Sequence, residues 1–216
     1  MQFTTFAAIS ALCHSTLATA VSSSSGLTPL CNEPTQLCNI DPSKYIGDWY
    51  EIGRTAIIRG TFESGCDCVQ AKYAFKPDGD IQVTNTCVKN QKYSTIVGNA
   101  HPLSPSELKV TFSPAGFNGG IGTFFQNLIP GPNYVVKNVW TDADGNYERA
   151  LIVSPLYIPG IEKYTESIWI LSRNSSIPQA DIDESLAYAT AAGFHPVQSK
   201  WEPTDQTTCA KYVPGN

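Results

Sequence analysis

The stretch around Pro77-Asp78-Gly79 restricts the fold more than any other. Asp-Gly is a strong two-residue turn signal, because both residues tolerate the positive φ that a tight hairpin needs. On either side apolar residues recur at every second position: Val69, Ala71, Tyr73 and Phe75 before the turn, Ile81 and Val83, then Asn85, after it. Period two puts each set on one face of an extended strand, so the stretch predicts a half-buried antiparallel hairpin. Segments at about 48–58, 94–100, 107–113, 134–141, 147–154 and 166–173 also read as strands, with Leu108, Val110 and Phe112 sharing a face. A helix is expected over about 178–192: Pro178 opens it, Gly193 stops it, and Ile182, Leu186 and Ala189 fall on one face.

Ahead of the hairpin, Asp41 to Arg54 reads as a one-turn helix feeding the first strand, with Gly47 permitting the tight approach and Trp49 large enough to plug one end of whatever the sheet encloses. Gly47-Asp48-Trp49-Tyr50-Glu51-Ile52, then Phe62-Glu63-Ser64-Gly65-Cys66, Ala71-Lys72-Tyr73 and the Pro77-Asp78-Gly79 turn resemble the lipocalin family, in particular its branch of apolipoprotein D and the bacterial outer-membrane lipocalin. Thr141-Asp142 resembles the branch's middle motif, and Ser167-Ile168-Trp169-Ile170-Leu171-Ser172-Arg173 its last strand. The resemblance runs from about 41 to 209.

The resemblance implies an all-β fold: an eight-stranded antiparallel up-and-down barrel with a C-terminal helix packed outside. Such a barrel is just wide enough for one small ligand, so the function it implies is that of a carrier for a fatty acid, sterol, retinoid, carotenoid or similar molecule. The inward-facing polar candidates for ligand contact are Glu51, Tyr73, Asn85, Asn138 and Tyr147, and the apolar ones Val69, Phe75, Val83 and Phe112. Each has a structural alternative: Glu51 pairs with a cation such as Arg149 or with a rim group, and the tyrosines fill the barrel. Gly47, Trp49 and Arg173 are assigned a structural role, the guanidinium stacking on the indole at the closed end. The family pattern also implies three disulfides. Cys66 and Cys87 flank the hairpin, Cys68 and Cys209 tie the tail to the barrel, and Cys31 and Cys38 then close a small loop ahead of the first strand.

Residues 1–20 carry an apolar core from Phe6 to Leu12 and end in Ala18-Thr19-Ala20, which reads as a secretory signal peptide even without a basic start, and Cys13 leaves with it. Residues 21–40 then form a flexible leader holding the Cys31–Cys38 loop, and 41–212 one domain. The six remaining cysteines, even in number behind a signal, point to disulfides in a secreted, extracellular protein. A net charge of −5 argues against nucleic acid as partner, and no run of 18 apolar residues follows the signal, so no transmembrane segment is expected. With His101 and His195 outside any ligand cluster, neither metal nor cofactor is expected, and the absence of a nucleophile elbow or phosphate loop argues against an enzyme. A lipocalin-type isomerase would need a free cavity thiol or paired acids. Asn174-Ser175-Ser176 is a glycosylation sequon. The segment 114–133 is an insertion relative to the family, broken by glycines and prolines yet apolar, and three readings stay open: it folds back on the surface, covers the cavity mouth, or docks a membrane, receptor or second subunit.

Overall fold

The computed structural model describes residues 25–56, 64–112, 131–158 and 163–209. The carboxylate of Asp41 accepts from the amide and hydroxyl of Ser43, at 2.9 and 2.7 Å, and so caps helix α1 (Pro42–Tyr45), whose first residue is a proline with no amide to satisfy. Gly47, at φ 104°, turns the chain into strand β2 (Gly47–Thr55); a Cβ there would also press on the Arg173 guanidinium at 3.3 Å. The strands that follow are β3 (Cys66–Phe75), β4 (Ile81–Lys89), β5 (Lys92–Pro102), β6 (Glu107–Phe112), β7 (Tyr134–Thr141), β8 (Tyr147–Ile158) and β9 (Lys163–Ser172). Each pairs antiparallel with the next, and β9 returns to β2, which closes an eight-stranded up-and-down barrel. The β3–β4 turn is a three-residue loop, not the expected two-residue one: Lys76 and Asp80 still pair, and Gly79 alone takes a positive φ of 88°.

Alternation divides the buried residues into two cores. Ile81, Val83, Val110, Val136 and Ile152 cluster inside the barrel with Trp49, whereas Ile52, Leu151, Val153, Ile168 and Ile170 face outward beneath helix α2 (Gln179–Ala191). The helix covers that patch with Ile182 and Ala189, and Leu186 is half-buried. It ends in a Schellman arrangement: Gly193, at φ 91°, donates to the carbonyl of Thr190, and Phe194 to that of Ala189. Beneath the helix lies Arg149, fully buried, stacked 4.3 Å over Trp140 and paired with Asp181 at 3.3 Å and with Glu184. The alternative partner proposed for Glu51 is therefore on the other side of the wall.

Three features depart from the reading of the sequence. The described part of the leader, from residue 25, is tied down where it was expected to be free: strand β1 (Thr28–Pro29) pairs with β7, and Leu27 packs against the outer core. A bulge at Ile52 interrupts the β2–β9 register, so that Glu51 and Arg54, three residues apart, face the same side. A short strand β10 (Trp201–Pro203) lies along β2, its indole against Gly53, where a Cβ would come within 2.2 Å of the ring. The β6–β7 ladder is short, Glu107–Val135 and Leu108–Tyr134, and the Asn133 side chain extends it by donating to the Val110 carbonyl at 2.8 Å and accepting from the Val110 amide at 2.7 Å. Residues 1–20, most of the 114–133 insertion and the first loop at 59–63 lie outside the described residues.

Removing the buried guanidinium leaves two carboxylates beneath the helix without their cation. Arg149→Met is expected to cost about 3 kcal/mol in urea unfolding, and adding Asp181→Asn to recover part of that loss.

Candidate functional site

The closed end is built on Trp49, which has no solvent exposure and donates from Nε1 to the Tyr45 carbonyl at 2.8 Å. Arg173 lies 3.8 Å over the indole ring and spends its N–H groups on the carbonyls of Asp48 (2.7 Å), Lys44 and Ile46 (both 2.9 Å) and Tyr147 (3.2 Å). One side chain thus gathers α1, the start of β2 and the start of β8. Gly47, Trp49 and Arg173 thus meet at this end, a Cβ on Gly47 lying 3.3 Å from the guanidinium.

Next to the indole, three tyrosines form a floor. The hydroxyl of Tyr134 lies 2.8 Å from those of both Tyr45 and Tyr73, and the Tyr45 ring stands 5.0 Å from Trp49. Burial pushes the phenols of Tyr45 and Tyr134 well above the ordinary tyrosine value, so all charge is kept out of the floor.

The inner wall rises from there. Val83 is buried in the inner core, and Asn85, next along the same face of β4, holds its Oδ1 buried with no hydrogen-bond partner among the described residues. Phe112 lies over Gly98 and packs against the inner core, since a Cβ on Gly98 would meet its ring at 2.6 Å. Val69 packs on the buried Cys66–Cys87 bridge. Glu51 is buried, paired with Arg54 and accepting from the Thr204 hydroxyl; Arg54 in turn donates to Thr204 at 2.9 Å and to the Cys66 carbonyl at 2.8 Å. Cys31–Cys38 and Cys68–Cys209 also form, so all three expected bridges are present.

Three of the expected ligand contacts do not belong to the interior wall. Phe75 keeps the parity of Tyr73, but it stands past the floor and is 57% exposed. Asn138 is fully buried, and its carboxamide holds the Cys31–Cys38 loop, donating to the Cys31 carbonyl at 3.0 Å and accepting from the Cys31 amide at 3.1 Å. Tyr147 belongs to the closed end, where its hydroxyl accepts from the Asp41 amide at 3.0 Å. Sequence reasoning missed Arg54 and Thr204 on the inner side and Tyr45 and Tyr134 in the floor. Arg54 carried a detectable signal, the one cation of β2, three residues after Glu51, but strict alternation from Trp49 points it outward. Among the described residues no group of three or more His, Cys, Asp or Glu is placed to hold a metal.

Eight strands closed on themselves, plugged at one end by an arginine-capped indole and flanked by one helix, define an up-and-down β-barrel. The pattern of the lipocalin-like domain matches residues 40–204, and the chain belongs to the lipocalin family. It is 31% identical over 186 residues to apolipoprotein D of Macaca fascicularis, covering 84% of this chain and 85% of that one. Against the outer membrane lipoprotein Blc of Escherichia coli strain K12 it is 30% identical over 188 residues, covering 84% and 93%. Among solved structures, apocrustacyanin C2 superposes with a TM-score of 0.56 at 14% identity over 78% of this chain and 81% of that one. Insecticyanin of Manduca sexta gives 0.54 at 17% identity over 85% and 90%.

Arg173→Ala should lower stability by about 2 kcal/mol, or about 4–8 °C in Tm by calorimetry, while leaving ligand affinity nearly unchanged. The floor sets an alkaline limit. Because the Tyr45 and Tyr134 phenols titrate higher folded than unfolded, their contribution is complete below about pH 10 and declines as pH rises from there towards the folded values. Tyr134→Phe should therefore flatten the loss of Tm between about pH 10 and 11 relative to the wild type.

Proposed function

We propose that this lipocalin is a secreted carrier that holds one small hydrophobic molecule inside the barrel. The observation that carries the reading is Asn85, whose carbonyl oxygen is buried on the inner face of β4 and has no hydrogen-bond partner among the described residues. A buried acceptor left open costs about 1–3 kcal/mol, and a ligand carrying a hydroxyl or N–H recovers it. Burying roughly 300 Å² of apolar ligand surface supplies on the order of 7 kcal/mol before association costs, to which the contact with Asn85 adds. Tyr73, Val69, Val83 and Phe112 provide the surrounding surface, and Glu51 lines it already neutralised by Arg54.

Catalysis has little support. The six cysteines between residues 25 and 209 are paired, so none offers a thiol to the cavity. His101 and His195 are both largely exposed, paired outside the barrel with Asp80 at 2.7 Å and Glu166 at 3.1 Å. Three disulfides and the signal-like first twenty residues support secretion, and the exposed Asn174 offers its sequon to a glycosyltransferase. A relative named as an apolipoprotein is in keeping with a lipid cargo.

The test is to express residues 21–216 in an oxidising host and to record native mass spectra and organic extracts of the purified protein. A near-stoichiometric apolar molecule is expected. An empty protein that also fails to take up fatty acids, retinoids and carotenoids would overturn the reading. With a hydroxyl-bearing ligand, Asn85→Leu should weaken binding about tenfold by fluorescence titration.

A further inference from the structure

The barrel is not closed by its own ladder along one side. Strands β2 and β3 pair from Gly47–Tyr73 to Tyr50–Gln70 and then part. The chain's tail fills the gap. The Thr204 amide donates to the Ile52 carbonyl at 2.9 Å, and the Cys68 amide donates to the Asp205 carbonyl at 2.8 Å. The Gln206 carboxamide nitrogen lies 2.8 Å from the carbonyls of Glu51 and of Val69, one on each strand. Further along, β10 takes the place beside β2 that β3 has left. On the inner side Arg54 reaches across from β2 to the Cys66 carbonyl on β3.

We propose that the tail is a removable stave of the wall and that Cys68–Cys209 is its thiol-sensitive latch: reduction of this bridge frees 204–209 and opens a side seam into the barrel beside Glu51 and Val69. Two observations make the latch decisive. The bridge joins positions 141 residues apart, so cutting it releases the tail from a large closed loop. Cys68 is also held at φ 55°, a left-handed conformation that residues with a side chain adopt uncommonly and at some cost. Without the bridge, a few hydrogen bonds at a sheet margin hold the tail.

The chemistry is a two-electron exchange with a dithiol. Its thiolate attacks the sulfur of Cys209, which is partly exposed whereas Cys68 is 4% exposed, and Cys68 leaves as a thiolate that takes up a proton. The second thiol of the reductant displaces Cys209 from the mixed disulfide. The two cysteines end as thiols and the reductant as a disulfide. Cys66–Cys87 is buried at both ends and reacts more slowly.

The seam itself is independent of the carrier reading; its use as a release route rests on it. Hydrogen exchange with mass spectrometry on residues 21–216, oxidised, treated with dithiothreitol, and as Cys68→Ser/Cys209→Ser, tests the seam. Peptides covering 51–56, 66–70 and 201–206 should exchange roughly tenfold faster in the reduced and double-serine forms, with β5 and β6 unchanged. Gln206→Ala, which keeps the bridge, should loosen the same peptides several-fold. Unchanged protection at 66–70 in the double-serine form overturns the proposal, and so does loss of protection in every strand at once. All-trans-retinol, bound before reduction, should leave roughly tenfold faster once the seam opens. Retinol leaving at an unchanged rate through an open seam overturns the release route, whereas a wild-type protein that holds no ligand of the panel above counts against the carrier reading and leaves the exchange result to judge the seam.

Discussion

Everything at the closed end depends on one guanidinium over one indole. Arg173 is the last residue before the chain leaves the barrel, and Trp49 is among the first to join it, so their stacking at 3.8 Å couples the start of the sheet to its end. The four backbone carbonyls it holds within 3.2 Å come from α1, β2 and β8, each of which would otherwise leave an acceptor facing a half-closed end. A lysine would supply the charge but neither the flat face nor the fork of donors.

The same device recurs. Three of the chain's four arginines are buried or half-buried fasteners, each joining parts of the chain that strand pairing leaves unjoined. Arg173 fixes the plug, Arg149 fixes α2 to the wall through Asp181 and Glu184, and Arg54 spans the β2–β3 gap. Burying a charge is unfavourable unless its partners are supplied, so each of these sites is well specified: the right packing satisfies the ion, and a slipped one strands it. The interior itself is left to neutral groups, the phenols of the floor and the amide of Asn85, with Glu51 already matched.

The barrel was legible because strands with one buried face must alternate. Val69 to Phe75 and Ile81 to Asn85 reveal their faces without any partner in view, and the eight segments expected from that rule correspond to the eight strands that close the barrel, whereas β1 and β10 were not expected. Ile182 and Ala189 revealed the helix, but its other inward residues, Asp181 and Ser185, are polar and masked the face against Arg149. What alternation cannot reveal is where it fails. The bulge at Ile52 turns Arg54 inward. Phe75 keeps its parity but outruns the floor, so a residue on the correct face is still outside. Asn138 was legible as buried, but its partner is a loop a hundred residues earlier in the chain, and nothing local to Thr204 or Gln206 announces that the tail will serve as wall.

Asn133 shapes the margin of the sheet. Its carboxamide presents a donor and an acceptor to Val110, as the backbone of a neighbouring strand would, and it sits directly at the end of the long β6–β7 connection. The register of the two strands is thereby set by Leu108, Val110 and Asn133 and is insensitive to how many residues intervene. Natural variation at this junction can lengthen, shorten or recompose the connecting segment without the barrel having to be re-registered, so a new surface can be acquired there while the cup is inherited intact.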